Sequence, residues 1–162
     1  MYYYHQLETN IFENLYIVTD ENSLISIHFD KEDMEKQQRN LVERRDHCVI
    51  NEVKQQLQEY FSGERTEFDV PMTLHGTTFQ VNVWKALINI QYGETKSYKQ
   101  IADVIQNPKA VRAVGQANRR NKIPIIIPCH RVIGQNQSLV GYAGNQTHYK
   151  EKLLKLEGIQ LD

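Results

Sequence analysis

The stretch IPIIIPCHRVI, residues 123–133, decides how the C-terminal half of this chain folds, because it places a thiol, an imidazole and a guanidinium directly after an apolar run. Three branched residues in succession predict a strand that is buried on both faces. Pro128 has no backbone N–H, so the predicted strand ends there. Cys129 would then stand at the end of a rigid buried strand, firmly held and still reachable, as a nucleophile requires.

Cys129 has two possible roles on this stretch alone. The thiolate is the nucleophilic form of cysteine, and nearby Arg131 or a protonated His130 would favour it. Adjacent strand residues point to opposite faces, so His130 would act through a bridging water or a bend after Pro128. A free cysteine is also among the most buried residue types and often serves only as a small hydrophobe. Both roles stay open at this point.

The length of 162 residues allows one or two small domains with a real core. The two cysteines, Cys48 and Cys129, lie far apart and outside any C-x-x-C motif. This usage indicates a reducing compartment and argues against a disulfide framework or a zinc site. No apolar run approaches membrane-spanning length, and the tyrosine-rich start at residues 1–5 is no signal peptide. We therefore expect a cytoplasmic protein with no membrane partner.

The charge of the chain is unevenly distributed, although its formal net charge is only −1. Residues 104–150 contain no aspartate or glutamate, whereas the preceding part of the chain is acidic. Such asymmetry predicts a surface that faces a polyanion, and a solvated basic face without a ligand is the alternative. The basic residues of this stretch are Lys109, Arg112, Arg119, Arg120, Lys122, Arg131 and Lys150.

The N-terminal half predicts a small α+β unit whose sequence indicates no function. Ile25, Ile27 and Phe29 alternate with Ser26 and His28, which predicts a strand with one buried face and with His28 directed to solvent. The predicted elements are strands at 15–18, 24–29 and 64–70 and a helix from about 46 to 61, closed by the Ser-Gly pair at 62–63.

Helix-start signals recur in the C-terminal half. Thr77-x-x-Gln80 and Ser97-x-x-Gln100 are capping boxes, and Asn107-Pro108 provides an N-cap and a first-turn proline for a third helix. The second and third helices predict a helix-turn-helix, which is typical of DNA binding but is also a common packing unit. The third helix is expected to pack through Val111, Val114 and Ala117 and to expose Lys109, Arg112, Asn118, Arg119 and Arg120.

Two residues are unusual for the helices predicted around them. Gly115 costs about 1 kcal/mol relative to alanine in a helix, which predicts close backbone approach to a neighbour or to a phosphate. A glycine-rich loop at 134–144 precedes a last helix, which begins at Thr147 or His148 and has Glu157 as its final residue. A carboxylate at the C-terminus of a helix interacts unfavourably with the helix dipole. Either it occurs there by chance on the surface, or it has a functional partner.

Four segments in register carry a resemblance to a known family: GETKSYKQIA (93–102), NPKAVRAVG (107–115), Asn121 and IPCHRVI (127–133). Together they closely resemble the O6-alkylguanine-DNA alkyltransferases, also called methylated-DNA–protein-cysteine methyltransferases. The match covers about half of the chain. The N-terminal half resembles the small domain of that family only in length and rough pattern.

The resemblance implies an α+β fold, with a small N-terminal ribonuclease H-like α/β domain at residues 1–72 and a mostly helical winged helix-turn-helix domain at 73–162. It implies a DNA repair protein that flips O6-alkylguanine out of duplex DNA and moves the alkyl group irreversibly to its own cysteine. The partner would be double-stranded DNA containing O6-alkylguanine, with no cofactor and no obligate protein partner, and the protein would be a monomer. Some relatives hold a structural zinc through cysteines that this sequence lacks, so we expect no metal.

The resemblance also assigns roles to single residues. Cys129 would accept the alkyl group, His130 would activate it through water, and Glu157 would orient and charge that histidine. Asn121 would hold the thiol and the approach loop, and Tyr98 would donate toward guanine N3, so that the base leaves as a neutral species.

The remaining implied roles concern DNA. Arg112 would fill the gap left by the flipped nucleotide, and the recognition helix would enter the minor groove. Val140 and Ala143 would form the loop around the base, with the backbone amide of Ala143 facing O6. Further DNA contacts are implied for Ser97, Ala110, Val111, Gly115 and Arg119.

The chain departs from the family pattern at Asn145, where a second glycine often follows Gly144, and at Lys122, where proline is common. The alkyltransferase-like proteins, which bind lesions without repairing them, carry tryptophan at the acceptor position, so Cys129 argues against that class. The alternative function is a non-catalytic helix-turn-helix DNA-binding or lesion-sensing module in which the cysteine is merely buried. A Cys-His hydrolase with turnover is a third possibility, for which no oxyanion loop is evident.

Overall fold

The computed structural model describes residues 1–134 and 147–160. The chain forms two compact units, Met1–Leu74 and His75–Asp162. The N-terminal unit contains a four-stranded sheet and the C-terminal unit is mainly helical, so the expected α+β class is confirmed. No helix within the described ranges is long and apolar enough to cross a membrane.

The N-terminal unit is a sheet with two helices packed against it. Its elements are β1 (Tyr2–Glu8), β2 (Asn14–Thr19), β3 (Leu24–His28), α1 (Lys31–Gln37), β4 (Leu41–Glu43) and α2 (Cys48–Phe61). The strand order is β3-β2-β1-β4, and neighbouring strands are antiparallel except β1 and β4, which are parallel.

The helix predicted from about residue 46 to 61 is confirmed as α2. Its apolar stripe is fully buried at Ile50, Val53 and Leu57, as a helix with one face on a sheet requires. Its start is capped by His47, whose Nδ1 accepts the backbone N–H of Val49 at 3.1 Å. Gly63, with φ of +84°, follows the helix in the left-handed conformation that commonly ends one.

The strands of the N-terminal unit differ from the prediction in two respects. The strands β1 and β4 were not predicted, because the tyrosine-rich β1 does not show a clean alternation of apolar and polar residues. Residues 64–70, all of which the structure describes, form no strand. The side chain of Gln56 satisfies the backbone there instead, since its Nε2 donates to the carbonyl of Asp69 at 3.0 Å and its Oε1 accepts the Asp69 N–H at 2.8 Å.

The prediction that His28 points to solvent is wrong, because His28 is only 5% exposed. Its Nδ1 lies 2.9 Å from Oδ2 of Asp33, and its Nε2 lies 2.8 Å from Oγ of Ser26. The connectivity is that of a Ser-His-Asp triad, but the serine is buried and the carboxylate is exposed, the reverse of what a nucleophilic site requires. The three residues therefore tie α1 to β3 and have a structural role.

The burial of His28 predicts that the N-terminal unit is less stable in mild acid. Burial lowers the pKa of His28, so the unfolded chain binds a proton at a higher pH than the folded chain does. The contribution of His28 to stability is therefore fully present above the ordinary histidine pKa, and it is lost as the pH decreases below about 6.5. We expect the free energy of unfolding to fall by up to about 1.4 kcal/mol per pH unit for this residue.

The measurement is urea unfolding followed by far-UV circular dichroism at several pH values, with the fluorescence of Trp84 distinguishing the C-terminal unit. The variant His28→Gln should lose part of the pH dependence of the N-terminal transition. An identical slope in the parent and the variant would contradict the prediction.

The C-terminal unit contains four helices and two short strands within the described ranges. Its elements are α3 (Thr78–Ile88), β5 (Lys96–Ser97), α4 (Tyr98–Val104), α5 (Val111–Arg119), β6 (Val132–Ile133) and α6 (Thr147–Leu156). The helix α5 packs against α3 and α4, and β5 pairs in parallel with β6. Trp84, on α3, is buried and donates from Nε1 to the carbonyl of Ala117 at 2.8 Å, so it belongs to the core.

Both predicted capping boxes are present. Thr77 and Gln80 exchange hydrogen bonds of 3.0 and 3.1 Å at the start of α3. Ser97 and Gln100 exchange bonds of 2.8 and 3.1 Å at the start of α4. These local signals fix the start of each helix because they satisfy backbone N–H groups that have no partner within the helix.

The start of the third helix was predicted three residues too early. Asn107 accepts the N–H of Ala110 at 3.0 Å, which closes a turn, and α5 begins only at Val111. Val114 and Ala117 are buried as predicted. The predictions for two other side chains are wrong, because Val111 is 37% exposed and Asn118 is fully buried.

The strand predicted before Cys129 is also wrong. Residues 123–127 are buried, but they form turns, in which the N–H of Ile127 donates to the carbonyl of Ile123 at 2.9 Å. Ile125 has φ of +76°, a conformation that is rare for a branched residue and incompatible with a strand. Cys129 instead opens a 3-10 helix, Cys129–Arg131, and the strand β6 follows it.

Candidate active site

Cys129 lies at the centre of the C-terminal unit and is fully buried. The tight turn before it is closed by a 2.7 Å hydrogen bond from its own N–H to the carbonyl of Ile127. Burial raises the pKa of the Cys129 thiol to about 11, although a hydrogen bond from Asn121 and the charge of Lys150 act in the opposite direction. The resting cysteine is therefore a neutral thiol, and it needs a base before it can attack.

Asn121 fixes the turn from which Cys129 projects. Its Nδ2 donates to the carbonyl of Ile127 at 2.8 Å, and its Oδ1 accepts the N–H of Ile123 at 3.0 Å. The side chain thus bridges both ends of the irregular segment that precedes the cysteine. This arrangement brings Asn121 and Cys129 together, in keeping with the role that the family resemblance implied.

His130 and Glu157 form a buried pair. His130 Nε2 lies 2.7 Å from Glu157 Oε2, and neither side chain is exposed to solvent. Burial lowers the pKa of His130 despite the nearby carboxylate, so the imidazole is neutral at neutral pH. With Nε2–H donating to the carboxylate, the basic lone pair of the ring is on Nδ1.

Glu157 is ionised although it is buried. Burial alone would raise its pKa, but the hydrogen bonds and charges of His130 and Arg131 outweigh it and lower the pKa to about 2. The helix α6 ends one residue earlier than predicted, at Leu156, and Glu157 follows directly. The contacts with His130 and Arg131 explain why a carboxylate stands directly after the helix, a question that the sequence left open.

Arg131 was expected to lie near the Cys129 thiol and to favour the thiolate. In the structure, its side chain binds Glu157. Its Nε donates to Glu157 Oε1 at 2.8 Å and its Nη2 donates to Oε2 at 3.0 Å. Its Nη1 donates to the carbonyl of Ile90 at 2.6 Å. The expectation that Arg131 stabilises the thiolate directly is therefore wrong, because all three nitrogen groups of the guanidinium are engaged by these acceptors.

Tyr98, the first residue of α4, lies close to the cysteine. Burial, and then the proximity of Cys129, raise the pKa of Tyr98 to about 12. Its hydroxyl therefore remains protonated and can donate a hydrogen bond. Lys150 lies over its ring, with Nζ 6.0 Å from the ring centroid.

Lys150 and Asn118 were missed as members of the site. Lys150 was counted among the basic residues of the predicted polyanion-facing surface, but it is fully buried and its Nζ donates to the carbonyl of Val132. Burial lowers the pKa of Lys150 to about 8, although the nearby cysteine raises it. Asn118 Nδ2 donates to the carbonyl of Cys129 at 3.4 Å. The spacing of 114, 117, 118 and 121, typical of one helix face, could have predicted that Asn118 is buried.

The residues expected to contact DNA belong to α4, α5 and the residues that precede these helices. Arg112 and Arg119 are exposed on α5, and Arg112 is the second residue of that helix. A Cβ on Gly115 would meet only the ring of Tyr98, at 3.9 Å, an ordinary contact. A close protein neighbour among the described residues therefore does not explain Gly115. Ser97 and Ala110 are half-buried near the ends of α4 and α5.

Val140 and Ala143, which were expected to line the base-binding loop, lie outside the described residues. The remaining members of the candidate site come together in the C-terminal unit. The helix-turn-helix lies against the buried cysteine through Tyr98 and Asn118, and a neutral histidine base with an ionised carboxylate follows that cysteine. This combination defines a class of proteins that act on DNA through a cysteine nucleophile.

Comparison with known proteins identifies the family. The family described as 6-O-methylguanine DNA methyltransferase, DNA binding domain, matches residues 78–159, and its ribonuclease-like domain matches residues 2–74. The chain belongs to this 6-O-methylguanine DNA methyltransferase family.

Individual relatives match over nearly the whole chain. The constitutive methylated-DNA–protein-cysteine methyltransferase of Bacillus subtilis is 48% identical over 98% of this chain and 97% of its own length. The methylated-DNA–protein-cysteine methyltransferase of Methanosarcina mazei is 49% identical over 96% of each. The crystal structure of Mycobacterium tuberculosis O6-methylguanine methyltransferase is 42% identical, with a TM-score of 0.89 over 97% of this chain and 93% of that one. Mycobacterium tuberculosis OGT in complex with DNA matches with a TM-score of 0.84 and 43% identity over 96% and 92%.

Proposed function

We propose that this protein removes an alkyl group from O6 of guanine in double-stranded DNA and keeps it permanently on Cys129. The observation that carries this proposal is the arrangement of a buried Cys129 thiol, which lies against a basic helix-turn-helix, with a neutral His130 and an ionised Glu157. The relatives named above as methylated-DNA–protein-cysteine methyltransferases support the reaction, and the DNA complex of the Mycobacterium tuberculosis protein supports the partner.

The transfer needs a proton acceptor for the thiol. His130 takes the Cys129 proton through a bridging water, and Glu157 holds the imidazole in its orientation. The Cys129 sulfur then attacks the alkyl carbon, the bond from that carbon to guanine O6 breaks, and its electron pair stays on the base. Tyr98 donates its proton to guanine N3, so the base leaves neutral, and the phenolate left behind balances the charge of the imidazolium.

The high pKa of the resting Cys129 thiol is useful in a protein that can use this cysteine for only one transfer. A free thiolate would react with any electrophile, whereas a buried neutral thiol becomes reactive only when the base acts on it. The product is a thioether, which none of the described side chains is placed to cleave. We propose a monomer, because Cys129, His130, Glu157, Asn121 and Tyr98 all come from one unit of one chain.

DNA recognition is assigned to the exposed side of α4 and α5. Arg112 takes the place of the flipped nucleotide, and Ala110, Val111 and Gly115 lie against the backbone around it. Arg119 and Ser97 bind phosphates, since a guanidinium, a hydroxyl and backbone N–H groups are the usual phosphate donors. Flipping costs a few kcal/mol, and less for a lesion that pairs poorly, which favours damaged guanine.

The test is a titration of the protein with a duplex that contains O6-methylguanine. We expect transfer to stop at one methyl group per protein molecule, because no step regenerates the thiol. Repeated turnover would indicate a Cys-His hydrolase instead. Binding to the duplex without any transfer would indicate the alternative function, a non-catalytic lesion sensor.

A further inference from the structure

Described residues donate hydrogen bonds to both oxygens of Glu157, and the distribution of these donors is informative. Oε2 is shared by His130 Nε2 at 2.7 Å and Arg131 Nη2 at 3.0 Å. Oε1 is shared by Arg131 Nε at 2.8 Å and the N–H of Gly93 at 3.2 Å. The carboxylate is therefore held in a plane by the arginine fork and a backbone amide, and the histidine adds one bond to a group that is already fixed.

The charges around Glu157 indicate which residue balances its carboxylate. A buried carboxylate must be balanced by a cation, and either a protonated His130 or Arg131 could supply it. The guanidinium of Arg131 keeps its charge in proteins and meets the carboxylate in a two-bond fork. A proton on His130 is thus unnecessary for the balance, and it would also remove the base.

We propose that Arg131 is a positioning residue that neutralises Glu157, so that Glu157 orients His130 without charging it. This inference rests on the proposed function, in which His130 is the base. It differs from the role that the family resemblance implied, in which Glu157 both orients and charges the histidine. Arg131 is itself anchored outside the pair, by its bond to the carbonyl of Ile90 at 2.6 Å and by the ring of Tyr92, 5.7 Å from its Cζ.

The groups that face His130 support this assignment. Burial lowers the pKa of His130, Glu157 raises it, and Arg131 together with Lys150 from α6 lowers it. Tyr92 faces both Arg131 and Glu157, and it is uncharged at neutral pH because burial raises its pKa. Loss of the Arg131 charge would leave the carboxylate as the dominant charged neighbour of His130, and the imidazole would then take up a proton.

The experiment is an NMR titration of the His130 imidazole in the full chain, in the parent protein and in the variants Arg131→Gln and Arg131→Lys. Arg131→Gln removes the charge, and we expect the pKa of His130 to rise by about one unit or more. Arg131→Lys keeps the charge and loses the fork, so we expect a clearly smaller rise. The control Arg65→Gln, which removes an Arg–Glu pair from the N-terminal unit, should leave the titration unchanged. An unmoved titration in Arg131→Gln would overturn the proposal.

A second readout is the rate of transfer from free O6-benzylguanine, which requires no DNA, as a function of pH. The acidic limb of the profile should move to higher pH in Arg131→Gln. At a fixed pH below the pKa of His130, the rate should fall about tenfold for each unit by which that pKa rises, and it should recover at alkaline pH. A purely structural role would lower the rate equally at every pH. The titration involves no alkyl transfer, so its outcome tests Arg131, whereas absence of transfer in the parent protein would count against the proposed function.

A double variant covers the case in which Arg131→Gln fails to fold. Arg131→Gln combined with Glu157→Gln removes both charges from the pair, and Trp84 fluorescence will show whether the unit is folded. Because no carboxylate charge then remains to be balanced, the pKa of His130 should stay below its ordinary value, as in the parent. A raised pKa in the double variant would also overturn the proposal.

Discussion

Replacing Glu157 with alanine is expected to lower the free energy of unfolding of the C-terminal unit by about 3–5 kcal/mol. The reason is that the substitution leaves the guanidinium of Arg131 buried without its carboxylate, and it also removes the acceptor of His130. Transfer should fall as well, because the imidazole loses the group that fixes its tautomer and orientation. Urea unfolding followed by Trp84 fluorescence measures the first effect, since the only tryptophan of the chain is buried in this unit.

Glu94→Ala is the matched control in the same unit. Glu94 pairs with Lys96 at 3.4 Å, but both side chains are about two-fifths exposed, and exposed pairs contribute about 0–1 kcal/mol. The comparison separates the loss of a buried charge from the loss of any ion pair. Equal destabilisation by the two substitutions would contradict the assignment of Glu157 as a buried counter-ion.

Replacing Arg112 with alanine is expected to slow transfer from a paired O6-alkylguanine by about tenfold to a hundredfold, which corresponds to about 1.4 to 2.8 kcal/mol of lost compensation for flipping. Arg112 is exposed in the first turn of α5, away from the buried cysteine. It should therefore stabilise the extruded state without taking part in the transfer. Transfer from a free alkylguanine base, which needs no flipping, should change little.

The two substrates are compared on one protein, so a folding defect would appear with both. Arg120→Ala, which removes an exposed arginine from the other end of the same helix, controls for a general loss of positive charge and should affect the duplex reaction much less. Equal slowing with duplex and free base would mean that Arg112 supports the fold or the pocket. No slowing with the duplex would mean that another residue fills the gap.

Local signals in the sequence predicted the parts of the fold that depend on neighbouring residues. The capping boxes at Thr77 and Ser97 and the helix α2 were predicted correctly, because each depends on a pattern of residues close together along the chain. The run before Cys129 was misinterpreted, since a short apolar run fits both a buried strand and a buried turn. The choice between them depends on Asn121, which holds that segment by its side chain.

The candidate site depends on contacts between residues far apart in sequence. Glu157 reaches His130 and Arg131 from the far end of α6, and no local pattern predicts which buried charges will meet. The resemblance to a family supplied the pairing of His130 with Glu157, whereas the fork made by Arg131 and the burial of Lys150 became evident only in three dimensions. The burial of His28 was missed for a different reason: its partners Ser26 and Asp33 are close in sequence, but the alternation of apolar and polar residues in β3 placed His28 on a solvent-facing side.

The central claim is that Cys129 is the sole acceptor of the alkyl group. The direct measurement is the mass of the intact protein, and then of its peptides, after mixing with an oligonucleotide duplex that contains O6-methylguanine. We predict one added methyl group, located on the peptide that contains Cys129, with normal reaction of Cys48→Ser and none of Cys129→Ser. A methyl group on Cys48, which is exposed and lies outside the site, or transfer that persists in Cys129→Ser, would contradict the claim.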